Sequence, residues 1–208
     1  MQVGFIGQEH LERLTKQIDG AVVTALYDIN KEKTDALAAE YGAESMESVD
    51  AFIASDKVDA IVVTAWDGVH AEGTGKVIAA DKPVFCEKLL TTTKADCAEI
   101  VRNEQAAGRN LVQVGFMHRY DPDYCKIKAI LDSGELSKPL MAHCISRTPR
   151  IAAGFTNAMQ VTNVLIHEID QFRWLFGEEL VRGQMLAARN TKFAADGLND
   201  HFRTKRQR

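Results

Sequence analysis

A doubly wound parallel α/β sheet followed by an incomplete α+β domain is the fold class that the sequence predicts. Three observations predict it. Short, near-continuous apolar runs alternate with amphipathic helical segments up to about residue 117. Unbroken apolar strands of this kind belong to parallel sheets covered on both faces, because crossover connections place helices on either side. Beyond residue 117 the alternation gives way to a helix, a strand and a long helix, with one more strand-like run before a polar end.

In chain order, Gln2 to Gly7 reads as a first strand, and His10 to Leu14 has the spacing of an amphipathic helix. Ala21 to Tyr27 is a second buried-type strand closed by Asp28, and Lys31 to Tyr41 a helix. Val58 to Thr64, Pro83 to Cys86 and Leu111 to Phe116 supply three more strands, separated by helices over Ala71 to Ala80 and Thr93 to Ala107. In the second part a helix is expected over Asp123 to Leu131 and a strand over Leu140 to Ser146. A long helix over Val161 to Phe176 repeats apolar residues at three- and four-residue intervals, and a last strand runs over Leu180 to Ala188. The domains expected are therefore 1–117, a partial second domain over 118–200, and a basic tail over 201–208.

Composition excludes several function classes. The chain has 208 residues, 46% of them apolar, enough for a real core, and its net charge of -4 offers no basic face for nucleic acid. No apolar stretch approaches the roughly 20 residues of a membrane span, and the N-terminus has no leader pattern, so a cytoplasmic protein without a membrane partner is expected. Cys86, Cys97, Cys125 and Cys144 are far apart, which suggests reduced thiols and no zinc site. The terminal Arg203, Lys205, Arg206 and Arg208 read as a solvated end.

A strand, a glycine turn, a helix, and then an acidic residue closing the second strand form the plan of a Rossmann-type dinucleotide site. Pyrophosphate would rest on the helix N-terminus and ribose hydroxyls on Asp28, whose charge favours NAD over NADP. The glycine loop is short: Gly7 is followed by Gln8, Glu9 and His10, with no second or third glycine after it. Glu9 would bring a carboxylate towards the phosphates. Glu87 and Lys88 end the fourth strand, the edge where ligands bind in such sheets, and Lys88 is either a ligand for a substrate hydroxyl or a solvated lysine. Asn163 and His167, four residues apart on the long helix, point the same way, and a histidine there is either a proton acceptor or a satisfied core residue. A metal at His167 and Glu168 is disfavoured, because no second histidine follows at helical spacing.

Taken together, Val62 to Trp66 with His70 to Glu72, the segment Lys82 to Thr92, Leu111 to Met117, Arg119 to Asp121, Pro139 to Met141 with His143 and Cys144, and His167 to Asp170 with Arg173 to Leu175 resemble the Gfo/Idh/MocA oxidoreductases, most of all their inositol 2-dehydrogenase branch. The resemblance spans residues 2 to about 200. It implies NAD bound to the first domain, a ring polyol such as myo-inositol as substrate, and hydride transfer to the nicotinamide. By position it implies His167 as base, Lys88 as the residue orienting the hydroxyl, and Asn163 where the family has an aspartate beside the histidine. It further implies Gly7, Asp28, Trp66, His70, Glu87, Lys88 and Met117 around the cofactor, with Arg119, Ser146, Asn163 and His167 around the substrate. A complete second domain implies a homo-oligomer. Leu89 stands where the family has proline and Ser146 where it usually has histidine. Two readings follow: a polyol dehydrogenase, and an inactive remnant that serves as a nucleotide-binding or self-associating module.

Overall fold

A computed structural model of the chain describes residues 3–147, 155–156 and 159–184. It divides into two compact units, Met1–Gly115 and Phe116–Arg208.

The first unit runs α1 (Phe5–Lys16), β1 (Ala25–Leu26), α2 (Lys31–Tyr41), β2 (Glu44–Ser45), α3 (Val49–Ala54), β3 (Ile61–Val63), α4 (His70–Ala79), β4 (Val84–Glu87), α5 (Lys94–Ala107) and β5 (Val112–Gly115). All the described pairings are parallel: β1 with β2, and β3, β4 and β5 in that order. The period of two in β3 places its residues on opposite faces. Ile61 and Val63 enter a core with Phe52 and Ile53 of α3 and Val77 of α4. Val62 packs instead on Val3, Leu11, Leu26 and Ala38, the core under α1 and α2. Both faces of the strand are covered, as a doubly wound sheet requires.

The expected first strand is the largest correction. Of the run from Gln2 to Gly7, Phe5, Ile6 and Gly7 belong to α1, which starts after Gly4. The reason is periodic: Gly7 and Leu11 are buried on one face, and Leu14 continues that stripe into the same core. A strand carried on to Gly7 would leave too few residues to turn before the helix. Val3, ahead of the helix, is 1% exposed and clusters with Leu11, Leu26 and Ala38, against which Val62 packs. Two further elements, β2 and α3, were not foreseen. Each is short, and α3 is announced only by its cap, where the Ser48 hydroxyl accepts from the Ala51 amide.

Helix boundaries elsewhere follow side-chain chemistry. Asn30 caps α2 by accepting from the Lys33 amide, and Gly42 ends it at φ 68°, a left-handed conformation that a β-carbon would strain. Thr93 caps α5 in the same manner as Asn30.

The second unit holds α6 (Pro122–Ser133), opened by the Asp121 carboxylate and Pro122, and then α7 (Ile166–Phe176). A π-helical segment, Gln160–Leu165, leads into α7, so the expected single helix over Val161 to Phe176 is two kinds of helix. Residues 140–146 form no strand, and Leu140, Met141 and Ile145 are exposed. A strand exists only through pairing, and no described segment pairs with this one. Of the run Leu180 to Ala188, residues 180–184 are irregular. Residues 185–188 and the basic tail lie outside the described residues. Among the described residues no helix is long and apolar enough to cross a membrane, and no group of three or more His, Cys, Asp or Glu side chains is placed to hold a metal.

Candidate functional site

Asp28, Trp66, Glu87 and Lys88 all follow or end strands at their carboxyl ends, the edge at which a doubly wound sheet binds ligands. Asp28 is fixed there by the chain itself. Its Oδ2 accepts from the Val3 amide at 2.7 Å and its Oδ1 from the Asn30 amide at 2.8 Å. The first of these bonds holds the carboxylate one residue away from Gly4, the N-cap of α1.

At that helix start the first intrahelical bond is made by Gln8 to the Gly4 carbonyl, so the amides of Phe5, Ile6 and Gly7 have no helical acceptor. Gly4 makes no side-chain cap, and a β-carbon there would meet nothing within 4 Å. Gly4 and Gly7 thus stand three residues apart at a helix start, one open and one buried against the core. That is the spacing and division of labour of the last two glycines of a dinucleotide fingerprint, one for phosphate approach and one for close packing. Glu9 lies beyond the first turn and pairs with Arg13 at 3.0 Å, which leaves no acidic residue in that turn to repel a phosphate. These residues fit the pyrophosphate and ribose of a dinucleotide.

Glu87 and α1 are joined by a residue that sequence reasoning missed. His10 Nε2 lies 2.7 Å from Glu87 Oε1, and the His10 ring meets Phe85 edge-on at 5.3 Å. Behind them Gly115 leaves room, since a β-carbon on it would come within 2.8 Å of Phe85 and 3.3 Å of Glu87. Lys88 is half-buried just after β4. Trp66 is 73% exposed, and its indole lies so close over Gly68 that a β-carbon there would stand 2.3 Å from the ring. His70 is of another kind. It is 1% exposed, with Nδ1 2.7 Å from the Leu89 carbonyl and Nε2 2.8 Å from the Ala65 carbonyl. It ties the loop after β3 to the loop after β4 and presents no edge to a ligand.

In the second unit the structure brings together His118, Arg119, His167 and Asp170. Arg119 grips the Asp170 carboxylate through Nε at 2.7 Å and a terminal nitrogen at 2.8 Å, and this pair holds the Arg119 guanidinium above its ordinary pKa. The His118 ring lies 5.4 Å from that of His167, centroid to centroid. Asn163 falls in the π-helical segment, where its Oδ1 accepts from the Thr162 hydroxyl at 2.8 Å. The wider helix changes the simple four-residue register expected between Asn163 and His167. Ser146 is exposed in the irregular stretch, and Met117 is exposed on the 3-10 turn Met117–Arg119. His118 and Asp170 carried no earlier role. Their only sequence signal was position, Asp170 lying three residues after His167 on α7 and His118 beside Arg119.

Comparison with known proteins agrees with this plan. Residues 3–116 match the Gfo/Idh/MocA model described as an oxidoreductase family with an NAD-binding Rossmann fold, and residues 124–204 match the family's C-terminal domain. The chain is 43% identical over 197 residues to inositol 2-dehydrogenase 3 of Saccharopolyspora erythraea, covering 95% of this chain and 58% of that protein. It is 43% identical over 199 residues to inositol 2-dehydrogenase of Ralstonia nicotianae, covering 95% and 59%. Among solved structures, myo-inositol dehydrogenase from Lactobacillus casei, in complex with NAD(H) and myo-inositol, superposes with a TM-score of 0.85 at 32% identity over 92% of this chain and 57% of that one. The chain therefore spans under three-fifths of the length of these relatives and, by its own two matched segments, belongs to the Gfo/Idh/MocA oxidoreductase family.

Proposed function

We propose that this chain carries the NAD site and part of the catalytic machinery of an NAD-dependent dehydrogenase that takes a hydride from a ring polyol such as myo-inositol. The observation that carries the reading is the start of α1, where three amides without a helical acceptor and the open Gly4 stand beside an Asp28 carboxylate held by the Val3 amide. The named activity of the relatives supports the substrate class.

Bound NAD supplies the hydride acceptor. The α1 amides would hold its pyrophosphate, and Asp28 would take the ribose hydroxyls on the lone pairs that its two amide bonds leave over. Gly7 packs the helix close, His70 braces the loops, and Glu87, Trp66 and Met117 would flank the nicotinamide. By position in the family series, Lys88 orients the reacting hydroxyl, donating to its oxygen and steadying the charge that grows there. His167 accepts the hydroxyl proton, for which a neutral imidazole is suited. Asn163 and Ser146 would complete the polyol's contacts. Arg119 contributes through Asp170, which already occupies two of its donors. The domain division expected from the sequence, a location in the cytoplasm and self-association belong to the same reading, and free thiols at Cys86, Cys97, Cys125 and Cys144 support the reducing compartment.

The test is direct. Titration with NAD while protein fluorescence is followed should saturate, and absence of a saturable signal up to about millimolar NAD, a weak limit for a cofactor, overturns the reading. NADH formation measured with myo-inositol and related polyols then fixes the substrate class.

A further inference from the structure

His10 stands beside the stripe of α1 that turns to the core. Gly7, Leu11 and Leu14 form that stripe, and His10, three residues after Gly7, lies on the same side of the helix. Its ring reaches the end of β4, where Nε2 lies 2.7 Å from Glu87 Oε1. Phe85 and Glu87, two residues apart, share one face of that strand, and the imidazole meets both, with the phenyl ring edge-on at 5.3 Å. We propose that His10 is a positioning residue of the dinucleotide site, which holds the Glu87 carboxylate and so sets where the nicotinamide end of NAD lies relative to the helix start that takes the pyrophosphate. The proposal rests on the reading above, in which the α1 amides hold the pyrophosphate and Glu87 flanks the nicotinamide.

A carboxylate accepts and does not donate, so the hydrogen of this bond sits on His10 Nε2. Bonds to a charged oxygen are stronger than those between neutral groups. Both side chains are largely enclosed, with 18% and 21% of their surface exposed, so water competes little for the bond. Glu87 also pairs in register with Gly115 of β5, and a β-carbon there would stand 3.3 Å from its carboxyl carbon and 2.8 Å from Phe85. The missing side chain leaves the space in which both lie. His10 rides on the same helix as the phosphate amides: Phe5, Ile6 and Gly7 precede it by three to five residues, about 4.5 to 7.5 Å along the axis. Without the imidazole donor, Glu87 regains its side-chain rotations while those amides stay where they are. The loss should therefore fall on the nicotinamide end. A plain tie of helix to sheet would instead weaken every part of the cofactor alike.

Calorimetric titration of the whole chain with NAD and with ADP-ribose, which keeps the pyrophosphate and both riboses but lacks nicotinamide, separates the two. His10→Phe keeps a ring beside Phe85 without a donor, and His10→Gln keeps a donor without a ring. His10→Phe should bind NAD about tenfold more weakly, as for loss of a hydrogen bond to a charged group, with ADP-ribose affinity unchanged within about twofold. His10→Gln should recover most of the loss. In a Glu87→Ala background His10→Phe should have no further effect on NAD, because its influence passes through that carboxylate. Should His10→Phe not fold, His10→Leu makes the same comparison. Equal loss for the two ligands, no loss for either, or an undiminished effect in the Glu87→Ala background overturns the positioning role and leaves the NAD site standing. A wild-type chain that does not bind NAD removes that site and this proposal with it.

Discussion

Arg119 and Asp170 form a two-bond fork across 51 residues of sequence, fixing the turn after β5 to the middle of α7. Asp170 is buried, whereas the Arg119 side chain keeps 38% of its surface. Removing the arginine strands a carboxylate that has little water to fall back on. Solvent at the guanidinium tempers the effect, so Arg119→Ala should lower stability by about 2 kcal/mol. Arg119→Lys should recover little of this, since an ammonium cannot make the parallel pair of bonds. Urea unfolding of the three proteins measures it, and full recovery by lysine would show that charge alone matters.

Asp28 holds two amides and, on the proposed reading, also takes the ribose hydroxyls, and one substitution tests both. Each carboxylate oxygen accepts one amide, from Val3 and from Asn30. In Asp28→Asn one acceptor becomes a donor and one amide loses its partner, for a loss of about 1 kcal/mol. The negative charge that opposes a 2'-phosphate also disappears. The ratio of NAD to NADP affinity should therefore fall by about tenfold, the equivalent of 1.4 kcal/mol. Parallel titrations with the two dinucleotides read the ratio, and an unaltered ratio removes Asp28 from the ribose site.

The sequence carried the doubly wound plan because that plan is written in composition along strands. Val62 and its neighbours Ile61 and Val63 are apolar on both sides, and only a strand covered twice needs that. What it carried poorly depends on context. The run Val3 to Gly7 is apolar enough for a strand, yet the stripe through Gly7, Leu11 and Leu14 draws its second half into α1. Residues 140–146 have strand composition and no partner. Asp28 and Lys88 stand out in the sequence because each follows a strand-like run, and the structure places both after strands β1 and β4. The bonds of Glu87 to His10 and of Arg119 to Asp170 join positions 77 and 51 residues apart, and no local pattern announces such a pairing.

Cys86 gives a pH dependence of known sign. Burial pushes its thiol up from 9.0 to about 11. Below the ordinary thiol value both folded and unfolded chains hold the proton. Between about 9 and about 11 the unfolded chain releases it while the folded chain retains it, so stability is full below that window and declines through it. The decline should reach about 2 kcal/mol in the wild type relative to Cys86→Ala, read from unfolding curves at pH 8 and pH 11. At pH 8 the native protein should be alkylated at exposed Cys125 and spared at Cys86, as peptide masses will show.

Asn163 is the substitution that bears most directly on turnover. Its Oδ1 accepts from Thr162 on a π-helical segment, and on the proposed reading it takes the place of an aspartate beside the base. An asparagine has no charge with which to stabilise an imidazolium on the next turn. In serine proteases the same aspartate-to-asparagine change beside the catalytic histidine lowers turnover about 10⁴-fold. Asn163→Asp should therefore raise the rate of NADH formation with myo-inositol by at least about tenfold, less than that limit because the π segment alters the register to His167. Stability should change little, since a carboxylate can still accept from the Thr162 hydroxyl. A rate that does not rise, in a variant shown by NMR to carry a raised His167 titration, means that His167 is not the base.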